Sequence, residues 1–376
     1  MYDVIIVGAG PIGLFIGKEL SSMGYDTLIL EEHSEIGNPC HCSGLFSWHI
    51  FDMVGKIGIL HEAKYATIHA PDGSTLSIGD GRTQGYVVDR VKFDREMAKR
   101  AVEKGAEIHL KERVLHVNYP VVKTRKNEYR ANIIVGADGI NSVVRKKIGV
   151  RLRKILGAAQ VIARYPVDNL EKVDIYLGSK VAPGFFAWKI PLFDNLVKIG
   201  LASYGNSWMY LKSLLKRMNA RALSISGGGI PIGTVERTYS KGMLIVGDAA
   251  GHVKATSGGG VYPGLMAARC AVKIIDKALS IGDYSSSILS EYENCWKKTI
   301  GKELKNALYL HRIYRKIRDE DFNRIIKDLN EQRIIEVINE YGDIDYPSRV
   351  ATRVLRRKPS LLKYLSIPAR PYRKQI

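Results

Sequence analysis

The sequence is poor in cysteine, has no long hydrophobic run and is short of acidic residues. Four cysteines in 376 residues are too few to staple a fold. This excludes a disulfide-framework protein and reads as a chain kept in a reducing, intracellular compartment. No uninterrupted apolar stretch approaches the roughly 18 residues that suggest a spanning helix. The opening MYDVIIVGAGPIGLF lacks the basic start and cleavage site of a secretory leader, so it reads as a first strand and turn. Asp and Glu number 38 against 57 Lys and Arg, a net charge of +19, and such an excess favours anionic partners. Residues 349–376 concentrate it, with nine basic and no acidic residues. That end is either a solvated tail or a segment drawn to an anionic membrane surface. No nucleic-acid-binding signature accompanies the charge, so no nucleic-acid partner is expected. Internal repeats, low-complexity segments, Ser/His/Asp triads and metal-ligand spacings are missing as well. The length is enough for two or three domains.

What is present begins at once. DVIIV (3–7) is a β-branched apolar run, GAGPIG places Gly8, Gly10 and Gly13 after it, and PIGLFIGKELSSM has helical spacing. In this strand–turn–helix setting the three glycines have distinct uses. Gly8 permits the tight turn, Gly10 lets a pyrophosphate approach the backbone, and Gly13 lets helix and strand pack closely. The helix N-terminus offers free N–H groups to the phosphates. A second run, DTLIL, ends at Glu31, 18 residues beyond Gly13, where a carboxylate accepts bonds from ribose hydroxyls and disfavours a 2′-phosphate. The pattern predicts a dinucleotide site.

A second unit separates FAD from a nicotinamide. GMLIVGDAAGHVKATSGGGVYPGLMAARCAVKIIDKAL has an apolar strand over 243–247, Asp248, and a loop with Gly258, Gly259 and Gly260 that opens a long amphipathic helix at Val261. A simple nicotinamide dehydrogenase has no need of it. In an FAD enzyme the carboxylate binds a ribityl hydroxyl and the helix N-terminus faces the flavin pyrimidine edge, stabilising negative charge there by about 0.3–1 kcal/mol or more. Asp248 can serve as a helix cap at the same time. Between the two units, NIIVGADGINSVVR is a third strand ending at Asp138.

These motifs together resemble the group-A flavoprotein fold of p-hydroxybenzoate hydroxylase. GYVVDRVKFDREMAKRAVEKGAEI (85–108), PCHCSG and GDAAGHVKATSGGGVYPG are more similar to the geranylgeranyl reductases, above all the archaeal digeranylgeranylglycerophospholipid reductases, over residues 1 to about 340. The resemblance implies one non-covalent FAD and saturation of isoprenoid double bonds. It implies an α/β chain with a Rossmann-like FAD-binding domain (1–62, 84–150 and 235–295), an inserted antiparallel-sheet substrate domain (63–83 and 151–234) and a C-terminal helical region with a basic tail (296–376). Leu304, Leu308, Ile313 and Ile317, then Ile325, Leu329, Ile334 and Ile338, give that last region its helical spacing. The resemblance also places Cys42, Ser43, Gly44 and Arg90 near the cofactor, with Ile12, Val114 and Val261 along it. A surface salt bridge from Arg90 to Asp89 or Asp94 is the plainer alternative.

APGFFAWKIPLFDNLVKIGLA (182–202) resembles the reductases' aromatic signature and departs from it at Phe186, Ile190 and Ala202, while Trp188, Pro191 and Gly200 match. Phe186, Trp188 and Ile190 alternate and so share one strand face, either as a hydrocarbon-binding wall with Pro191 and Gly200 or as ordinary sheet core. Ala255 stands where many relatives carry Pro.

Cys40, His41 and Cys42 are adjacent. With Cys270 and Cys295 far along the chain in expected helices, no second ligand pair completes a zinc site, and a Cys-x-Cys disulfide would be strained. Reducing an isolated alkene needs hydride to one carbon and a proton to the other. Cys42 is one candidate acid and His41 the other; Cys42 as a mere pocket wall fits equally well, since a neutral thiol is a weak acid. The expected partners are an isoprenoid lipid and an electron donor (nicotinamide, ferredoxin or another carrier), with the protein cytoplasmic and peripheral at the inner membrane face. A flavin monooxygenase and a non-catalytic lipid-binding flavoprotein are the rival readings.

Overall fold

The computed structural model describes residues 1–364. The last part of the basic tail, 365–376, lies outside the described residues. Tyr2–Val7, whose last four residues are fully buried, is the central strand of a parallel core. Strands buried on both faces are continuous apolar runs, as DVIIV is. In the sheet the order runs Met243–Ile245, Glu128–Gly136, Tyr2–Val7, Thr27–Leu30, Glu107–His109, all parallel, with short antiparallel strands added at one edge and at the N-terminal end of Glu128–Gly136. Chain order reverses between Tyr2–Val7 and Glu128–Gly136. A ligand crevice opens at such a switch point, beyond the carboxyl ends of the two strands.

A seven-stranded sheet roofs that crevice. It is drawn from residues 65–78 and 155–231. Neighbours are antiparallel throughout except Lys172–Tyr176 and Tyr65–His69, which run parallel. The expected antiparallel sheet is present apart from this pair, whose two strands belong to separate chain segments that no hairpin joins.

The long helix Val261–Ile281 packs against the fingerprint helix Pro11–Ser22. Cys270 in the long helix forms a disulfide with Cys295 in the following helix, Ser286–Trp296. Spacing alone gave these two cysteines no partner; the antiparallel packing of the two helices brings them together. Closing 25 residues into a loop restricts the unfolded chain and adds about 3 kcal/mol. Replacing both by alanine should therefore remove about 3 kcal/mol of unfolding free energy, read as a lower denaturant midpoint with a steeper slope, since the uncrosslinked chain unfolds to a more open state. A midpoint equal to that of the oxidised parent would refute it.

The C-terminal helices Lys302–Tyr314, Asp319–Leu329, Gln332–Tyr341 and Pro347–Arg357 close the far side. Leu304, Ile313 and Ile334 are buried, while Ile317, Ile325, Leu329 and Ile338 face the cavity described below. Among the described residues no helix is long and apolar enough to cross a membrane.

Candidate functional site

Three chain segments meet at the crevice. Gly8 has φ +102, and a Cβ on it would lie 2.5 Å from the Ala137 carbonyl oxygen, so the turn from the first strand into the fingerprint helix admits only glycine there. At Gly10, by contrast, a Cβ meets nothing within 4 Å. Gly10 caps the fingerprint helix without any side-chain bond, which leaves its first N–H groups facing open space. Glu31 closes this cradle: its Oε2 accepts from the Ala9 N–H at 2.9 Å and its Oε1 from the His33 N–H at 2.9 Å.

Asp138 and Asp248 face each other's segments across the same space. Asp138 Oδ2 accepts from the Val143 N–H at 2.7 Å, whereas its Oδ1 is buried with no protein partner. Burial pushes its pKa up against the bonds from Ser142 and Val143. Asp248 is raised to about 6 by desolvation, with the Arg90 charge pulling the other way. An orphaned carboxylate oxygen, a cradle of open N–H groups and a purse of glycines suit a polyhydroxylated dinucleotide. The third loop keeps close to Asp248, since a Cβ on Gly260 would stand 2.8 Å from its Oδ1. Arg145, for which no role was read from the sequence, holds the Asp138 and Asp248 turns together: its guanidinium donates to the carbonyls of Gly139, Ile140 and Ala249.

The cysteine loop is tied to the roof. The Cys42 carbonyl accepts from Gln160 Nε2 and from Lys198 Nζ, each at 3.3 Å, and Gln160 Oε1 accepts from Trp188 Nε1 at 3.1 Å. Both cysteines of the loop are free and half-buried. The Gly44 N–H points at Cys42 Sγ at 3.4 Å. Partial burial and the nearby His33 charge lower the His41 pKa. Arg90 does pair with Asp94, at 3.0 Å, but not on the surface: both side chains are about nine-tenths buried. The guanidinium lies 5.4 Å from the Phe46 ring centre. Burial disfavours its charge, yet Asp94 and then Cys42 and Cys40 hold its pKa above the ordinary arginine value.

A single cavity of about 1320 Å³ joins these parts; ordinary ligand pockets run to about 1,000 Å³. Gly8, Gly10, Ile12, Glu31, Val114, Asp138, Asp248, Gly258, Gly259, Gly260 and Val261 line one end, and Cys40, His41, Cys42, Ser43 and Arg90 the middle. Past Phe186, Trp188 and Ile190 the cavity continues as an apolar arm between the roof, with Ile68, Leu76 and Ile175, and the C-terminal helices, with Ile317, Ile338 and Val354.

Four residues expected at the site are not on its wall. Gly13 lies under the cradle, where a Cβ would be 2.0 Å from the Gly8 oxygen, and Gly44 under Val88, at 2.6 Å from its oxygen. Pro191 is buried in the roof with its carbonyl accepting from His61 Nε2 at 3.2 Å. Gly200 seats the Trp188 ring, three of whose atoms come within 2.8 Å of a Cβ placed there. Pro191 and Gly200 thus support the wall from behind, because strand neighbours of Trp188 back its ring instead of standing beside it. Gln160 and Lys198 were missed, although each is a polar residue inside an apolar strand run (AAQVIA, LVKIGLA), and such a residue needs a buried partner.

Residues 1–191 match the FAD binding domain family. Digeranylgeranylglycerophospholipid reductase 2 of Methanococcoides burtonii is 32% identical, over 88% of this chain and 89% of its own. Digeranylgeranylglycerophospholipid reductase of Methanocaldococcus jannaschii is 28% identical, over 97% of each. Among solved structures, a geranylgeranyl bacteriochlorophyll reductase-like protein from Thermoplasma acidophilum superposes with TM-score 0.86 at 22% identity, covering 97% of this chain and 98% of that one. The flavin-dependent brominase Bmp2 follows at TM-score 0.68 and 17% identity, covering 95% and 99%.

Proposed function

This chain belongs to the FAD-binding-domain family, as an FAD-dependent oxidoreductase related to the digeranylgeranylglycerophospholipid reductases, and from that premise we propose that it saturates isolated C=C bonds of geranylgeranyl chains on archaeal-type membrane phospholipids or their precursors. One observation carries the reading: the apolar arm is continuous with the glycine cradle and passes the Cys42 loop. Hydrocarbon buried there gains roughly 25 cal/mol for each Å² removed from water. An arm walled mainly by Ile68, Leu76, Ile175, Ile317, Ile338 and Val354 offers a flexible isoprenoid a largely apolar surface.

Gly8, Gly10, Glu31, Asp138, Asp248 and the Gly258–Gly260 loop would hold the cofactor, and FAD when bound and reduced supplies a hydride. Residues of this chain supply the remainder. Phe186 and Trp188, edge to face at 6.1 Å, flank the chain, and the bonds from Gln160 and Lys198 to the Cys42 carbonyl fix the loop against it. The second carbon needs a proton. We assign it to the Cys42 thiol, which lines the cavity beside Arg90, with His41 of the same loop the alternative source.

The exposed arginines of the Pro347–Arg357 helix (Arg349, Arg353, Arg356 and Arg357) support a peripheral place at the inner membrane face, since Val350, Val354 and Leu355 of the same helix border the arm. Pre-reduced protein incubated with geranylgeranylglycerophospholipid should yield products heavier by two hydrogens per bond in mass spectrometry. Cys42→Ala should slow that gain by about 10²-fold or more while reduced-flavin content is unchanged. Full activity in Cys42→Ala would remove the thiol as donor. A hydroxylated product formed with oxygen would replace the reductase reading by a monooxygenase one, and flavin that no alkene reoxidises would replace it by a non-catalytic one.

A further inference from the structure

Beneath the Gly258–Gly260 loop lies a cation that neither the cradle nor the apolar arm requires. Lys254 is 2% exposed and borders the cavity. Its N–H donates to the Gly259 carbonyl at 3.1 Å, and its side chain turns back under the same loop. A Cβ on Gly259 would lie 3.1 Å from Lys254 Cε and 3.4 Å from its Nζ. The ammonium donates to Asp345 Oδ1 and, at 2.9 Å, to the Ile344 carbonyl. Asp345, also 2% exposed, accepts from the Ser47 hydroxyl through its other oxygen.

The neighbours are polar as well. His49 Nε2 lies 3.0 Å from Asp343 Oδ2, and the Tyr262 and Tyr346 hydroxyls are 2.8 Å apart. Ligand atoms of His49, Asp343 and Asp345 come within 4.8 Å of one another, and Lys254 supplies the positive charge at that place.

A buried ion pair of this kind gains little net stability, because desolvation consumes most of the attraction, and apolar side chains of equal volume often do as well. What apolar side chains cannot provide is a fixed charge. The loop above Lys254 leads straight into the N-terminus of the Val261–Ile281 helix, itself a centre of partial positive charge.

We propose that Lys254 is a positioning residue for electrons: its ammonium, held under the Gly258–Gly260 loop by Asp345 and Ser47, reinforces the helix N-terminus and makes bound FAD easier to reduce. Two-electron reduction leaves the isoalloxazine more negative, so a nearby cation favours the reduced form. Asp345 keeps Lys254 in place and offsets part of its charge. The inference uses FAD binding alone and is independent of the alkene substrate.

Midpoint potentials of the FAD-loaded protein test it. In Lys254→Met the affinity for reduced relative to oxidised FAD should fall about tenfold, a drop of about 30 mV for a two-electron couple. Lys254→Arg should keep the parent potential, and Asp345→Asn should shift it in the opposite direction to Lys254→Met. The double variant Lys254→Met/Asp345→Asn leaves neither charge unpaired, so it folds where a single one does not, and should lie between the two single shifts. FAD-loaded Lys254→Met, or the double variant if the single fails to load, at the parent potential would overturn the proposal. Shifts of the same sign in Asp345→Asn and Lys254→Met would overturn the part given to Asp345. No alkene is present in this titration, so its failure leaves the function proposed above untouched.

Discussion

Ala351→Trp should slow saturation of a geranylgeranyl chain by about a hundredfold or more while leaving FAD bound at full stoichiometry. Ala351 borders the apolar arm from the Pro347–Arg357 helix, half-buried, with Ile338 and Val354 also on the wall. An indole there fills space instead of disrupting a packed core, so the fold should tolerate it better than an overpacked interior would. A chain that cannot enter fully cannot present its double bond at the Cys42 loop, and misplacement by about 1 Å already costs around a hundredfold in rate. The expected fall in kcat/KM is therefore a hundredfold or more, about 2.7 kcal/mol of transition-state stabilisation. A substrate one or two isoprene units long should lose far less. Equal turnover of long and short chains by Ala351→Trp would mean that the hydrocarbon lies elsewhere.

Two neighbouring glycines should fail in opposite ways. A methyl at Gly13 would lie 2.0 Å from the Gly8 carbonyl oxygen and 3.2 Å from Ile6 Cγ2, so Gly13→Ala must push the fingerprint helix off its strand. Overpacking of this kind costs about 1–3 kcal/mol and more when backbone has to move, and thermal unfolding of the cofactor-free protein should drop by several degrees. Gly10→Ala meets no atom within 4 Å, at an ordinary φ of −76°. Its cofactor-free stability should match the parent's, yet FAD affinity should fall by about two orders of magnitude, because the methyl stands where the pyrophosphate approaches the helix. Calorimetry of both proteins without FAD, followed by FAD titration, separates the two effects. If Gly10→Ala still bound FAD like the parent, the pyrophosphate would have to lie away from the helix N-terminus.

The parts of the site legible in the sequence are those whose geometry is local. The Gly8–Gly13 fingerprint, Glu31, the Asp248 turn and the Cys40–Gly44 loop each lie within one short stretch, and their chemistry follows from spacing along it. Arg145 binds the carbonyl of Ala249 across 104 residues, Gln160 reaches Cys42 across 118, and Lys254 meets Asp345 across 91. No periodicity encodes such contacts. The disulfide was hidden for the same reason: Cys270 and Cys295 were each readable as helical, but not the way their helices pack. Pro191 and Gly200 were read as wall because they share a motif with Trp188, whereas alternation and cross-strand pairing put them behind it.

The order of the parts along the chain has a consequence for biogenesis. The Gly8–Gly13 turn precedes most of the site in the chain, and much of the greasy compartment's lining comes from helices after residue 302, so the growing polypeptide carries an open oily trough until those helices have been made. Folding intermediates with such surfaces are prone to aggregate. The contact of Asp345 with Lys254 spans 91 residues, so it can form only after that later segment has been made.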